Sequence, residues 1–116
     1  MSHIILEYPE SCLLEPQVNE ALRSVHASTT ASDLFEKSHI RIRAYAFKQY
    51  THGDEANTAP YMHIQARIKS GRDTVEKKRL SDNILQGLRN LDLPVGVITI
   101  EVVDMDRKSY SKHAKN

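Results

Sequence analysis

The chain has 116 residues, a length that fits one domain with a modest core. Sixteen Lys and Arg against fifteen Asp and Glu leave a formal charge of +1, which excludes the basic excess of a general nucleic-acid or membrane-surface binder. Hydrophobic residues make up 40 %, with no Trp and two Phe, so the expected core is aliphatic.

A first strand is expected over about 2–8, where Ile4, Leu6 and Tyr8 alternate with His3, Ile5 and Glu7. It begins at the chain start, so the terminus is expected to be built into the fold rather than left loose. Pro9 removes a ladder donor and is expected to end it. Pro16 then suits the first turn of a helix. Val18, Ala21, Leu22 and Val25 recur at helical spacing, and the pattern fades at Ser28-Thr29-Thr30. In the polar stretch 28–38, Leu34 and Phe35 are expected to cover the core as a lid.

The run HIRIRAYAFKQY, 39–50, is the clearest strand. Ile40, Ile42, Ala44 and Ala46 share one face; Arg41, Arg43, Tyr45 and Phe47 share the other. THGDEANTAP, 51–60, reads as a turn-rich connection around Gly53-Asp54. YMHIQARI, 61–68, alternates again and Gly71 breaks it. Asp73 or Thr74 caps a second helix with Glu76 in its first turn, and Leu80, Ile84, Leu88 and Leu91 mark the buried stripe. Asp92-Leu93-Pro94 stops it, VGVITIEVVDM, 95–105, is a final β-branched strand, and 106–116 is a polar, basic tail.

The order is βαβ followed by βαβ, in halves of about 2–50 and 61–105 within a single domain spanning 1–116. Right-handed crossovers place each half's strands parallel and side by side. The expected fold is an α/β (α+β) two-layer sandwich, a four-stranded sheet with two helices on one face. The uncovered face, partly apolar, points to subunits packing together.

The ordered set His3-Ile4-Ile5-Leu6-Glu7-Tyr8, Val18-Asn19-Glu20-Ala21-Leu22, Ile40-Arg41-Ile42-Arg43-Ala44 and His63-Ile64-Gln65-Ala66-Arg67-Ile68-Lys69-Ser70-Gly71-Arg72, with Ser109-Tyr110-Ser111-Lys112 in the tail, resembles the 5-carboxymethyl-2-hydroxymuconate isomerases of the tautomerase superfamily. The resemblance implies two βαβ halves, a homotrimer, a place in aromatic catabolism, and proton transfer between carbons of a small unsaturated keto-acid or diacid. It also implies a base at the chain start. Those enzymes carry proline after the initiator methionine, and methionine removal frees a secondary amine. Here the position is Ser2. With Met1 removed, Ser2 offers a primary amine, whose ordinary pKa of about 7.7–8.0 suits a base. With Met1 retained, the Ser2 nitrogen is an amide. The same resemblance implies Arg41 and Arg72 as binders of carboxylate or carbonyl oxygen, through the two-pronged guanidinium pair. Arg43, two residues from Arg41, is a further candidate on the same face.

Two readings follow. One is a working isomerase with Ser2 at the base position and Arg41 in the catalytic set. The other is a small-acid-binding or assembly protein on the same fold. The six histidines, at 3, 26, 39, 52, 63 and 113, make no HxH or HxxxH pair, so no metal is expected. No GxGxxG or Walker loop appears and no cofactor is expected. His63 reads as sheet surface, and Tyr110 as packing on a neighbouring subunit or reaching a pocket. The βαββαβ order also occurs in RNA-binding domains, but strand three lacks their glycine-aromatic pattern, and no nucleic acid is expected. The lone Cys12 excludes an internal disulfide and points to a reducing compartment. No membrane-length apolar run or signal-peptide start is present, so no membrane partner and a cytoplasmic location are expected.

Overall fold

The structure, a computed structural model, describes residues 1–54, 56 and 58–115. The parts of the expected 51–60 connection and 106–116 tail at positions 55, 57 and 116 lie outside the described residues. The elements are strand β1 (Ser2–Pro9), helix α1 (Glu15–Ala31), a single 3₁₀ turn (Lys37–His39), β2 (Ile40–Phe47), β3 (Tyr61–Lys69), α2 (Thr74–Arg89) and β4 (Val97–Met105). The sheet order is β2-β1-β3-β4. Each half contributes a parallel pair, β1 with β2 and β3 with β4, and the halves join antiparallel at β1 and β3.

Period-2 alternation dictates one wet and one dry sheet face. Ile4, Leu6, Met62, Ile64, Ala66 and Ile68 lie on the dry face, each at most 1 % exposed. Ala21 and Val25 of α1 and Leu80, Ile84 and Leu88 of α2 close over them. Burial of each large aliphatic side chain stabilises by roughly 1.5–3 kcal/mol.

The second helix starts as its sequence indicates. Asp73 Oδ1 accepts from the Glu76 amide at 2.8 Å, and Glu76 Oε1 accepts from the Asp73 amide at 3.1 Å. It ends at Arg89, and Asp92 adopts φ 51°, so Leu93 rather than Leu91 takes the last buried position. The first helix runs past its expected fade to Ala31. Thr29 is fully buried there, and its hydroxyl donates to the Val25 carbonyl at 2.7 Å, satisfying itself on the turn behind. Asp33 at φ 58° then turns the chain. Leu34 and Phe35 pack against the core edge. Pro9 is the last residue of β1 rather than its stop, pairing with Phe47 beyond the β3 ladder, where no donor is needed on that side. The last strand begins at Val97 because the Gly96 and Val97 amides both bond to the Pro60 carbonyl.

The second sheet face carries His3, Ile5 and Glu7 beside Arg41, Arg43 and Tyr45 on one side and Arg67, Gln65 and His63 on the other. Tyr45 and Val97 are 56 % and 45 % exposed. His63 is sheet surface, hydrogen-bonded to Thr99 and Glu101. Among the described residues no helix is long and apolar enough to cross a membrane.

In urea unfolding, Ile84→Ala is expected to cost about 2–5 kcal/mol through the cavity it leaves. Asp73→Ala is expected to cost about 1 kcal/mol through the lost cap. Equal costs at the two positions would contradict this division between core and cap.

Candidate active site

The antiparallel register fixes what surrounds the chain start. His3 lies opposite Arg67, so two residues back Met1 lies level with Lys69. On the parallel side Ser2 pairs with Ile40, which brings His39 alongside Met1. A cavity of about 230 Å³ opens here, floored by Met1 and Ser2. Lys69, Arg72 and Arg107 supply its cations. Leu34 and Phe35 form its apolar wall, with Glu36 and His39 at the rim.

Two of the three cations, Arg72 and Arg107, are held by backbone carbonyls. One Arg72 nitrogen donates to the Leu34 carbonyl, its guanidinium lies 5.9 Å from the Phe35 ring centre, and its other terminal nitrogen is 3.9 Å from Glu76. Arg72 thus ties the Leu34-Phe35 wall to the start of α2. Arg107 donates from Nε to the Ser70 carbonyl and lies across Gly71. That glycine sits at φ 122°, a conformation that side chains resist, and a Cβ there would meet the guanidinium at 3.6 Å. The Lys69 ammonium lies 5.1 Å from the Tyr110 ring centre.

Of these three cations, Lys69 acts on the terminal amine. In the structure it belongs to Met1, and its pKa is lowered from the usual 8.0 first by burial, then by the Lys69, Lys112 and Arg41 cations. His3, on the open face behind it, also titrates below its usual 6.5. Burial is the main cause, followed by Arg43 and the terminal amine. Arg43 Nη1 donates to His3 Nδ1 at 3.2 Å. Its partners therefore assign the neutral ring's proton to Nε2, which donates to the Tyr110 hydroxyl at 3.1 Å.

Of the residues expected in the site, Ser2 and Arg72 line the cavity and Arg41 and Arg43 do not. Arg41 is exposed, and its Nη1 donates to the Ser38 and Ile40 carbonyls at 2.8 and 3.1 Å. It reaches the amine through charge alone. Arg43 is engaged with His3. The Tyr110 hydroxyl is bonded to His3 within its own chain, and its ring lies beside Lys69 of the cavity. Sequence reasoning missed Lys69, His39 and Arg107. The signal for Lys69 was its place at the end of a strand, but the pairing that sets it level with Met1 is a tertiary fact. Nothing in the polar tail marked Arg107.

The sequence profile described as 5-carboxymethyl-2-hydroxymuconate isomerase matches residues 2–96. Comparison with curated proteins gives no match. Among solved structures, a 5-carboxymethyl-2-hydroxymuconate isomerase from Deinococcus radiodurans R1 is similar at 25 % identity and a TM-score of 0.83, over 98 % of this chain and 90 % of that one. A fused 4-OT described as an asymmetric trimer shares the fold at 14 % identity and a TM-score of 0.80, over 97 % and 94 %. A malonate semialdehyde decarboxylase inhibited by 3-bromopropiolate does so at 13 % and 0.77, over 97 % and 90 %.

The His3 environment sets a pH dependence. The folded state holds the ring neutral below the usual 6.5, while the unfolded chain takes up a proton near that value. The contribution of His3 is therefore present above about pH 6.5 and is lost as pH falls through and below it. Urea midpoints of wild type and His3→Gln, measured from pH 8 to 5, are expected to converge as pH falls. Parallel curves would contradict the assignment.

Proposed function

The chain belongs to the 5-carboxymethyl-2-hydroxymuconate isomerase family, matched over residues 2–96, and we propose that it is a proton-transfer isomerase of small unsaturated keto-acids or diacids with the Ser2 amine as its base. The observation that carries this is the chain's amine in a cavity lined by Lys69, Arg72 and Arg107. Removal of Met1 transfers the free amine to Ser2, one residue along the same rigid strand.

The chemistry follows from the charges. A neutral amine takes a proton from a carbon next to a carbonyl, leaving an enolate. Nearby cations stabilise that developing charge, and Arg72 engages a substrate carboxylate. The ammonium so formed returns the proton to another carbon of the conjugated chain, and the base is regenerated. At Met1 the surroundings lower the amine pKa from 8.0; an amine one residue along the same strand meets the same cations, which favour the neutral base. Arg41 assists through its positive charge beside the amine, and Arg43 acts on His3 rather than on substrate. The Phe35 wall limits water at the reacting carbons.

In this reading the chain forms a homotrimer through its open sheet face. Exposed Tyr45 and Val97 on that face support it, as does the fold shared with a protein described as a trimer. A second reading, acid binding without turnover, is favoured by one feature, serine where the resemblance implies proline.

The test is ultraviolet ketonisation of a dienol diacid by untagged protein, with intact mass on the same sample. Activity above the buffer rate with Met1 absent is expected, and kcat/KM should rise with pH as the Ser2 amine loses its proton. Ser2→Pro should keep or raise the rate, and Arg72→Ala should lower kcat/KM by about tenfold or more. No rate with Met1 absent, from either wild type or Ser2→Pro, would sink the isomerase reading in favour of acid binding. Light scattering giving a monomer mass would remove the trimer.

A further inference from the structure

At the end of the sheet away from the chain start, three side chains of the open face stand in line. The parallel register sets His63 of β3 beside Thr99 of β4, and Glu101 is the next residue of β4 on the same face. The Thr99 hydroxyl lies 2.7 Å from His63 Nδ1, and His63 Nε2 is bonded to a Glu101 carboxylate oxygen. A carboxylate only accepts, so Nε2 carries the proton of the neutral ring. Nδ1 is then an acceptor, and the Thr99 hydroxyl donates to it. A hydroxyl, a base and an orienting carboxylate are thus joined in series, with the hydroxyl proton already directed at the base.

Thr99 also borders a cleft of about 400 Å³. Tyr61 and Val97 line it from the strands, and His52, Gly53 and Ala59 line it from the connection between β2 and β3. That connection is fastened over the sheet. The Tyr61 hydroxyl donates to the Thr51 carbonyl at 3.3 Å, and His52 Nε2 donates to the Ala59 carbonyl at 2.8 Å. The Tyr50 and His52 rings meet the Tyr61 ring edge-on, at 5.4 and 5.5 Å between centres. The result is a mainly apolar hollow, already formed, with the Thr99 hydroxyl at its side. The His63 and Glu101 side chains are 32 % and 48 % exposed, so water reaches the base.

We propose that Thr99, His63 and Glu101 form a second, hydrolytic site, which takes small esters with an apolar acyl group and a good leaving alcohol. Thr99 Oγ1 attacks the ester carbonyl carbon, and its proton passes to His63 Nδ1. The bond from that carbon to the leaving oxygen breaks, and the imidazolium gives the proton to the departing alcohol. A water molecule then loses a proton to Nδ1 and attacks the acyl-threonine. The carboxylic acid leaves and the Thr99 hydroxyl is restored with that proton. The apolar hollow holds the acyl chain. Glu101 is a positioning residue: it keeps the Nε2 proton in place and offsets the imidazolium charge, with Glu7 the neighbour of His63 on the β1 side. None of these residues lines the cavity at the chain start, so the inference stands apart from the isomerase reading.

The experiment follows nitrophenolate release from p-nitrophenyl butyrate by the full-length protein, in whatever assembly it forms, and by Thr99→Val, Thr99→Ser, His63→Gln and Glu101→Gln. Wild type is expected to sustain release beyond the amount that acylation of its lysines and terminal amine consumes. Thr99→Val and His63→Gln should each lower the rate by about tenfold or more. Valine is branched like threonine and suits the strand, so the melting temperature of Thr99→Val should hold. Thr99→Ser should keep the activity, because the hydroxyl remains. Glu101→Gln should lower kcat and leave KM unchanged, which a loss of folded protein or of the acyl hollow would not do. Phenylmethanesulfonyl fluoride should stop the reaction and leave one sulfonyl group on Thr99, located by peptide mass. Release no faster than buffer would overturn the proposal, as would a neighbouring subunit closing the cleft and giving that same result. An unchanged rate in Thr99→Val would overturn it too, by showing that His63 or a surface amine acts without the hydroxyl. A sulfonyl group found only elsewhere would do the same.

Discussion

The first strand is held on both sides, and the rest of the molecule is arranged by that fact. From Ser2 onward β1 pairs with β2, and from His3 it pairs with β3. Ile4 and Leu6 lie fully within the core. A slip of one residue would turn both out of the core and drive His3 and Ile5 in, so the register is strongly specified. Chain termini ordinarily fray. Here the position of the first residues is set by the same apolar packing that stabilises the fold. A base placed at that terminus inherits the precision of a core strand without a side chain of its own to order.

Topology then decides which charges gather around it. The start of β1 lies at the same end of the sheet as the end of β3, because the two run antiparallel. The end of β4 lies there too, because β4 runs parallel to β3. The start of β2 joins them, parallel to β1. So Lys69, Arg72 after the β3 turn, Arg107 after β4 and His39 before β2 meet at one place, although 68 positions separate His39 from Arg107 in sequence. Burial first, then the Lys69, Lys112 and Arg41 charges, lower the amine pKa. The same concentration of charge that lowers the amine pKa also favours an anion beside it.

The segment after β4 has a part in this that its composition conceals. Tyr110 bonds to His3, His3 accepts from Arg43, and the Tyr110 ring faces Lys69. The network crosses the open side of the sheet and ends at the cavity. It also explains why the two arginines of β2 differ from a simple pair of substrate clamps. Arg43 is occupied in fixing the neutral tautomer of His3, and Arg41 is turned to the carbonyls of the chain that leads into β2.

Local pattern carried much of the architecture. Period-2 alternation around Ile4, Ile42 and Ile64 placed the strands, and the 3.6-residue spacing of Leu80, Ile84 and Leu88 with Asp73 and Glu76 placed the second helix. Ser2 and Arg72, which line the cavity, were legible as candidates because a known order of residues surrounds them. The extent of α1 was not legible, since Thr29 looks polar until its hydroxyl is seen bonded to Val25. The sequence by itself determined which residues turn inward and that two similar halves make one sheet, because those follow from spacing along the chain. Which side chains face the chain start was decided by tertiary structure alone. Lys69 and Arg107 arrive there by strand direction and register across the sheet, quantities that no local stretch of sequence contains.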